Sequence, residues 1–129
     1  MKRAASLWGP ALVWAGLIFF LSSIPYLSSG LKQDFLLRKA AHVTEYAVLA
    51  ALLWRALKGG RPFSVGRLFA LSLFISVLYA ASDEWHQSFV PTRGPSVRDV
   101  LIDSAGALAA CLILLRRSSR EKPDRLPVV

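Results

Sequence analysis

The chain has little cysteine and few acidic residues, and its composition excludes some kinds of site and partner. Its single cysteine, Cys111, cannot form a disulfide within the chain and supplies no pair of thiols for a zinc site. Only 8 of the 129 residues are acidic, against 16 lysines and arginines. Aromatic residues do not alternate with the basic ones as base-stacking platforms would. We therefore predict no nucleic-acid partner, and we interpret Cys111 as a buried packing residue.

Apolar residues, in contrast, are abundant. They make up 54% of the chain, whose mean hydropathy of +0.45 exceeds what a small soluble domain can hide in its core. Four apolar segments cover residues 7–24, 40–57, 65–82 and 100–115, each close to the length of a spanning helix. The fold class predicted is therefore all-α, a polytopic membrane protein with a bundle of four transmembrane helices. We predict that this domain covers residues 1–117 and that residues 118–129 form a disordered cytoplasmic tail.

The basic residues predict the orientation of the helices. Eleven of the sixteen lie beside the two termini or in the connection between the second and third apolar segments, and five lie at the other end. Because lysine and arginine concentrate on the cytoplasmic side, we predict that both termini are cytoplasmic. Six of the eight acidic residues fall at or near the opposite, outer end.

Polar residues interrupt the start of the second apolar segment. Lys39, His42 and Glu45 recur every three residues, which places them along one stripe of a helix. A histidine exchanges protons near neutral pH, and a nearby carboxylate fixes its tautomer, so His42 and Glu45 are candidates for an acid/base pair. The alternative is an ion cluster that bridges helix ends. A carboxylate at this depth costs roughly 2–3 kcal/mol, which favours a functional role.

The third apolar segment leads directly into a run of ionisable residues. Asp83, Glu84 and His86 follow it, and Gln87 and Arg93 come soon afterwards. Asp83 and Glu84 are adjacent in sequence and must face different partners. Acids at the C-terminal end of a helix oppose its dipole, which favours specific partners for both.

The fourth apolar segment also begins with acids. Asp99 and Asp103 are four residues apart on one face, and Ser96 is a plausible N-cap before them. Asp99 equally fits an ordinary first-turn acid that the helix dipole stabilises. The small residues around Gly106 allow another helix to approach closely.

These polar residues are predicted to converge at one face of the membrane. The candidates for acid/base catalysis are His42, Glu45, Asp83, Glu84 and His86. The candidates for ligand binding are Lys39, Gln87, Arg93, Asp99 and Asp103. No cofactor is predicted; if a divalent metal binds, its ligands come from His42, Glu45, Glu84 and His86, although their spacing matches no recognised zinc motif.

Three ordered motifs resemble those of the VanZ-like family of small bacterial membrane proteins. They are Lys39-x-x-His42-x-x-Glu45-Tyr46, Asp83-Glu84-x-His86-Gln87-x-Phe89-Val90-Pro91-x-Arg93, and Asp99-Val100-x-x-Asp103-x-x-Gly106. The chain departs from the family pattern at Thr92, where glycine is common, and at Ala110. The resemblance implies a multi-pass protein of the bacterial cytoplasmic (inner) membrane with a role at the cell envelope. The family is named after a protein that confers low-level resistance to the glycopeptide antibiotic teicoplanin.

Three functions fit these features. The first is an outward polar pocket that binds an envelope-associated ligand, either an anionic lipid-linked precursor or a lipophilic glycopeptide, with Arg93 and Lys39 holding its anionic group. The second is a membrane enzyme that uses His42 or Glu84 as a general base on a phosphate or acyl ester. The third makes the charges purely structural. The partners predicted are the lipid bilayer and this ligand, and assembly of the chain into a homo-oligomer stays open.

Overall fold

The computed structural model describes residues 1–25 and 30–121, and these residues form four helices and no strand. The helices are α1 (Lys2–Ser22), α2 (Asp34–Gly60), α3 (Val65–Gln87) and α4 (Val97–Arg120). The prediction of an all-α fold with four helices is therefore confirmed.

All four helices are longer than the apolar segments that predicted them, and α2 and α4 differ most. α2 begins at Asp34 rather than at residue 40, and an ion pair of 3.1 Å between Asp34 and Arg38 spans its first turn. α4 continues to Arg120, so residues 118–120 of the predicted tail are helical. The rest of the predicted tail, residues 122–129, lies outside the described residues. The predicted N-cap at Ser96 is confirmed, since its hydroxyl accepts a hydrogen bond from the Arg98 amide at 3.2 Å.

Two of the four described helices, α1 and α3, are long and apolar enough to cross a membrane. α2 and α4 are less suited because ionisable residues interrupt them, including His42, Glu45 and Asp103. Most of α1 and α3 lies on the outside of the bundle, as expected of helices that face lipid.

α2 is the central helix of the bundle. It packs most extensively on α4 and also contacts α1 and α3, whereas no Cα atom of α1 lies within 8 Å of one of α4 among the described residues. Tyr46, Ala50, Ala107 and Cys111 are fully buried where these helices meet. The interpretation of Cys111 as a packing residue is confirmed.

A glycine allows α4 to lie directly against the backbone of α2. A Cβ atom built on Gly106 would stand only 2.2 Å from the carbonyl oxygen of Val43. Any side chain at this position would therefore force the two backbones apart. This close approach brings the first turns of α4 to the polar stripe of α2, as the small residues around Gly106 predicted.

Candidate functional site

Two charge pairs join α2 to α4 at the end of the bundle where Gly106 begins the close approach. Lys39 forms an ion pair with Asp99, and His42 Nδ1 lies 3.3 Å from Asp103 Oδ1. Residues 39 and 42 lie about one helical turn apart on α2, and residues 99 and 103 lie about one turn apart on α4. Because the two spacings are similar, both charge pairs form side by side. The stripes predicted separately for the two helices thus face each other.

The pair of His42 and Asp103 is the most deeply buried of these contacts. The Asp103 side chain is 1% exposed, and neither of its oxygens has an aligned hydrogen-bond donor among the described residues. His42 is at ion-pair distance but outside hydrogen-bond alignment. His42 also lines a cavity. Because its Nδ1 faces Asp103, its Nε2 is the nitrogen available to a ligand in that cavity. A carboxylate that orients a histidine through one nitrogen leaves the other for proton exchange. Glu45, the partner predicted for His42, lines a separate small cavity beside it.

The adjacent acids of α3 have different partners, as their neighbouring positions required. Asp83 accepts hydrogen bonds from the hydroxyl of Ser22 on α1 and, at 3.4 Å, from the amide of Gln87. Glu84 Oε2 accepts a hydrogen bond of 2.9 Å from the backbone amide of Ser96, the N-cap of α4. Glu84 Oε1 is buried without a hydrogen-bond partner among the described residues. Asp83 thus ties α3 to α1, and Glu84 ties it to the start of α4.

His86 lies away from the other candidate residues. Its ring stacks on Phe19 of α1 with centroids 4.3 Å apart, and its Nε2 is 2.9 Å from the hydroxyl oxygen of Ser23. The Ser23 hydroxyl donates its proton to the Phe19 carbonyl at 2.7 Å. The same hydroxyl oxygen is then free to accept a hydrogen bond from His86 Nε2. These contacts fasten α1 to α3.

Arg93 caps the C-terminal end of α1. Its Nη2 donates to the carbonyl oxygens of Leu21 at 3.3 Å and Ile24 at 3.1 Å, and its Nε donates to Ile24 at 3.4 Å. The last carbonyls of a helix lack partners within the helix, and a cation there also complements the helix dipole. Nη1 donates to neither carbonyl and is available to a ligand in the cavities that Arg93 lines.

The charged residues enclose two neighbouring cavities that share Arg38, His42 and Arg93 in their walls. The larger has a volume of about 150 Å³. The smaller has a volume of about 60 Å³ and extends towards α1. We call the two together the cleft. Residues that line its larger part are Phe35, Arg38, Lys39, His42, Glu84, Gln87, Thr92, Arg93, Gly94 and Asp99.

The structure brings seven of the ten candidate residues to the walls of the cleft. They are Lys39, His42, Glu45, Glu84, Gln87, Arg93 and Asp99. Asp83 and Asp103 lie buried behind these walls, and His86 faces α1 instead.

Sequence reasoning missed Arg38, Ser22 and Ser23 as members of the polar network. Arg38 lies in the extra turns of α2 that the apolar pattern did not reveal, although its spacing to Glu45 was visible. The two serines gave no signal of their own, because only the packing of α1 on α3 brings them to Asp83 and His86.

The four residues considered for a metal do not form one donor set. His86 and Glu84 are engaged with Ser23 and Ser96, and His42 pairs with Asp103. Within residues 1–25 and 30–121, no three histidine, cysteine or acidic side chains are placed to hold a metal ion. Metal binding at these residues was the lesser expectation, and it gains no support from this geometry.

The resemblance carried by the three motifs is confirmed by a comparison against protein families. The model of the VanZ/LLP1 family matches residues 7–117, which is nearly the whole length of the bundle. The chain belongs to the VanZ/LLP1 family. Comparison with curated proteins gives no match, and comparison with solved structures gives none either. Family membership together with two helices apolar enough to span a bilayer indicates a membrane protein.

This VanZ/LLP1 chain departs from the family pattern at Thr92, where the backbone conformation is unfavourable for threonine. Thr92 has a φ angle of +67°, in the left-handed region that disfavours a β-branched residue by roughly 1–2 kcal/mol. Glycine, common at this position in the family, adopts the same angle without that cost. Thr92 and Gly94 form the loop wall of the cleft, so the backbone conformation at Thr92 shapes that wall.

Proposed function

We propose that the cleft binds the anionic head group of a lipid-linked envelope precursor, with the apolar part of that ligand remaining in the bilayer. The proposal is carried by the meeting of Arg38, Lys39 and Arg93 around one small cavity. Two carboxylates share this wall: Asp99 is paired with Lys39, and Glu84 accepts the Ser96 amide through Oε2 while Oε1 has no partner among the described residues. The three cations outnumber these two carboxylates, and Arg93 keeps Nη1 for a phosphate or carboxylate that enters the cavity.

The size of the cleft favours a head group over a whole antibiotic. A volume of about 150 Å³ holds roughly five water molecules. Pockets that enclose drug-sized ligands have volumes of roughly 300–1,000 Å³. A glycopeptide could place only one substituent in the cleft, whereas a phosphate group fits whole. Family membership is compatible with a resistance role, in which the protein would act on the lipid-linked target rather than engulf the drug.

Exposed aromatic residues support a location at the membrane surface. Phe35, Trp85 and Phe89 surround the cleft end of the bundle and are each at least 65% exposed. Aromatic side chains concentrate at the level of the lipid head groups. A ligand anchored in the bilayer would therefore present its head group at the height of the cleft.

We further propose that all four helices span the inner membrane, that both termini are cytoplasmic and that the cleft opens outward. Support comes from the excess of basic residues at the opposite end of the bundle. The chain offers a direct measurement, because Cys111 is its only cysteine and is buried. On a Cys111→Ala background, we expect Ser88→Cys to react with a membrane-impermeant maleimide in intact cells. Ser119→Cys is expected to react only after lysis, and the reverse pattern would refute the orientation.

The binding proposal is tested with a fluorescent polyprenyl phosphate and the purified protein in nanodiscs. We expect the double variant Arg38→Gln, Lys39→Gln to weaken binding by roughly a hundredfold or more, since it removes two charge-assisted hydrogen bonds of about 1.5–3 kcal/mol each. The matched control is Lys32→Gln, Arg98→Gln, which removes two cations from the same end outside the cleft wall. Equal weakening by both doubles would mean general attraction to the surface and would remove the basis of the proposal.

Acid/base chemistry on the bound head group is the second candidate, and the contact between His42 and Asp103 favours it. A histidine oriented by a buried carboxylate and bordering a small cavity can take a proton from water or from a ligand hydroxyl. Hydrolysis of a phosphate or acyl ester that His42→Gln abolishes while binding persists would establish the enzyme. Binding without turnover in the wild-type protein would leave the binding function alone.

A further inference from the structure

A larger groove lies at the end of the bundle opposite the cleft. It has a volume of about 450 Å³ and lies between α1 and α4, which both pack on α2 and have no Cα atoms within 8 Å of each other among the described residues. Leu7, Ala51, Trp54 and Leu114 form its apolar floor. A slot of this shape, open along two helices, suits a hydrocarbon chain.

The rim of the groove is mostly basic. Arg55, Lys58 and Arg117 border it, together with a single acid, Glu121. Arg55 also donates a hydrogen bond of 3.3 Å from Nη1 to the carbonyl of Ser6, which fixes its guanidinium at the rim. Among the described residues, neither Lys58 nor Arg117 forms an ion pair. Two cations at the rim are thus available to an anionic group.

We propose that this groove binds one anionic phospholipid, with its phosphate between Lys58 and Arg117 and an acyl chain along the apolar floor. The occupant follows from the combination of charge and shape. Basic residues meet head groups at the helix ends, and the floor below them continues in the direction of the hydrocarbon. A free phosphate would use only the rim, and an apolar peptide would use only the floor.

The helix dipole offers a competing reason for these basic residues. Lys58 lies in the last turn of α2 and Arg117 in the last turn of α4, where cations are stabilised without any ligand. The helix dipole explains how these cations stabilise the fold, but it gives the protein no preference for one lipid over another. A measurement of which lipid the protein retains therefore separates the two.

The test is native mass spectrometry of the full chain from micelles containing equal amounts of phosphatidylglycerol and phosphatidylcholine with identical acyl chains. We expect the wild-type protein to retain one phosphatidylglycerol with about twenty-fivefold preference, because Lys58 and Arg117 each contribute about fivefold near a head group. The double variant Lys58→Gln, Arg117→Gln is expected to lose the preference. The control Arg67→Gln, Arg116→Gln removes two exposed cations from the same end outside the groove and is expected to keep it.

The floor is tested separately by Ala51→Phe, which fills the slot and leaves every charge in place. We expect it to lower retention of phosphatidylglycerol about tenfold while thermal unfolding shows a folded bundle. Should it unfold the protein, Ala51→Leu provides the same test with a smaller side chain. Equal loss of preference in both charge doubles, displacement of the lipid by excess inorganic phosphate, or a dimer without bound lipid would each overturn the proposal. None of these results would affect the cleft, because Arg38 and Lys39 are unchanged in every variant.

Discussion

Asp103→Ala is expected to lower the free energy of unfolding by about 3–5 kcal/mol, one of the two largest effects in this protein. The substitution leaves His42 facing an apolar cavity without its carboxylate, and it removes a contact between α2 and α4 at the point where they pack most closely. Unfolding in mixed micelles of increasing SDS content measures the loss. A change below about 1 kcal/mol would mean that the pair is not a buried contact in the membrane.

The double variant His42→Leu, Asp103→Leu shows whether this pair serves stability or function. Apolar residues of similar volume often replace a buried ion pair with little loss of stability, whereas removing one partner is costly. We therefore expect the double variant to regain most of the stability that Asp103→Ala loses. If it also binds the polyprenyl phosphate like the wild-type protein, the charges are structural. Loss of binding or turnover in a stable double variant would assign the pair to function.

Much of this arrangement could be predicted from sequence because each part had a local signal. The spacing of Lys39 and His42 indicated one polar face, and the spacing of Asp99 and Asp103 indicated another. The small side chain of Gly106 indicated that a helix approaches there. Short connections between apolar helices then left few ways to place these faces other than against each other.

The partners of individual side chains could not be predicted, because they depend on the rotation and height of each helix. Arg93 was assigned to ligand binding from its charge alone, yet most of its donors reach the last carbonyls of α1. His86 was grouped with the acid/base candidates from its position in the motif, yet a rotation of one residue on α3 turns it towards Phe19. A sequence pattern specifies a helix face to within about 100°, which is too coarse to choose between neighbouring partners.

Gly106→Ala is the second substitution with a large expected effect. The added methyl group would overlap the carbonyl of Val43, a backbone atom of a central helix that cannot move aside as a side chain could. Overpacking of this kind costs about 1–3 kcal/mol and occasionally more, and alanine recovers about 1 kcal/mol through its higher helix propensity. Because the overlap is with backbone, we expect a cost at the upper end of this range and a net loss of about 2 kcal/mol in the same SDS titration. Separation of α2 from α4 would also distort the cleft wall to which Lys39 and Asp99 belong, so binding of the polyprenyl phosphate should fall as well.

The matched control is Gly66→Ala in the first turn of α3, where an added methyl group meets no atom within 4 Å. There the change in helix propensity acts alone, and we expect stability to stay equal or to rise by up to about 1 kcal/mol. Opposite signs for the two substitutions would show that contact with Val43, and not the loss of a flexible residue, determines the effect at Gly106. Equal effects would mean that α2 and α4 lie further apart in the membrane, and the cleft between them would then be wider than a head group requires.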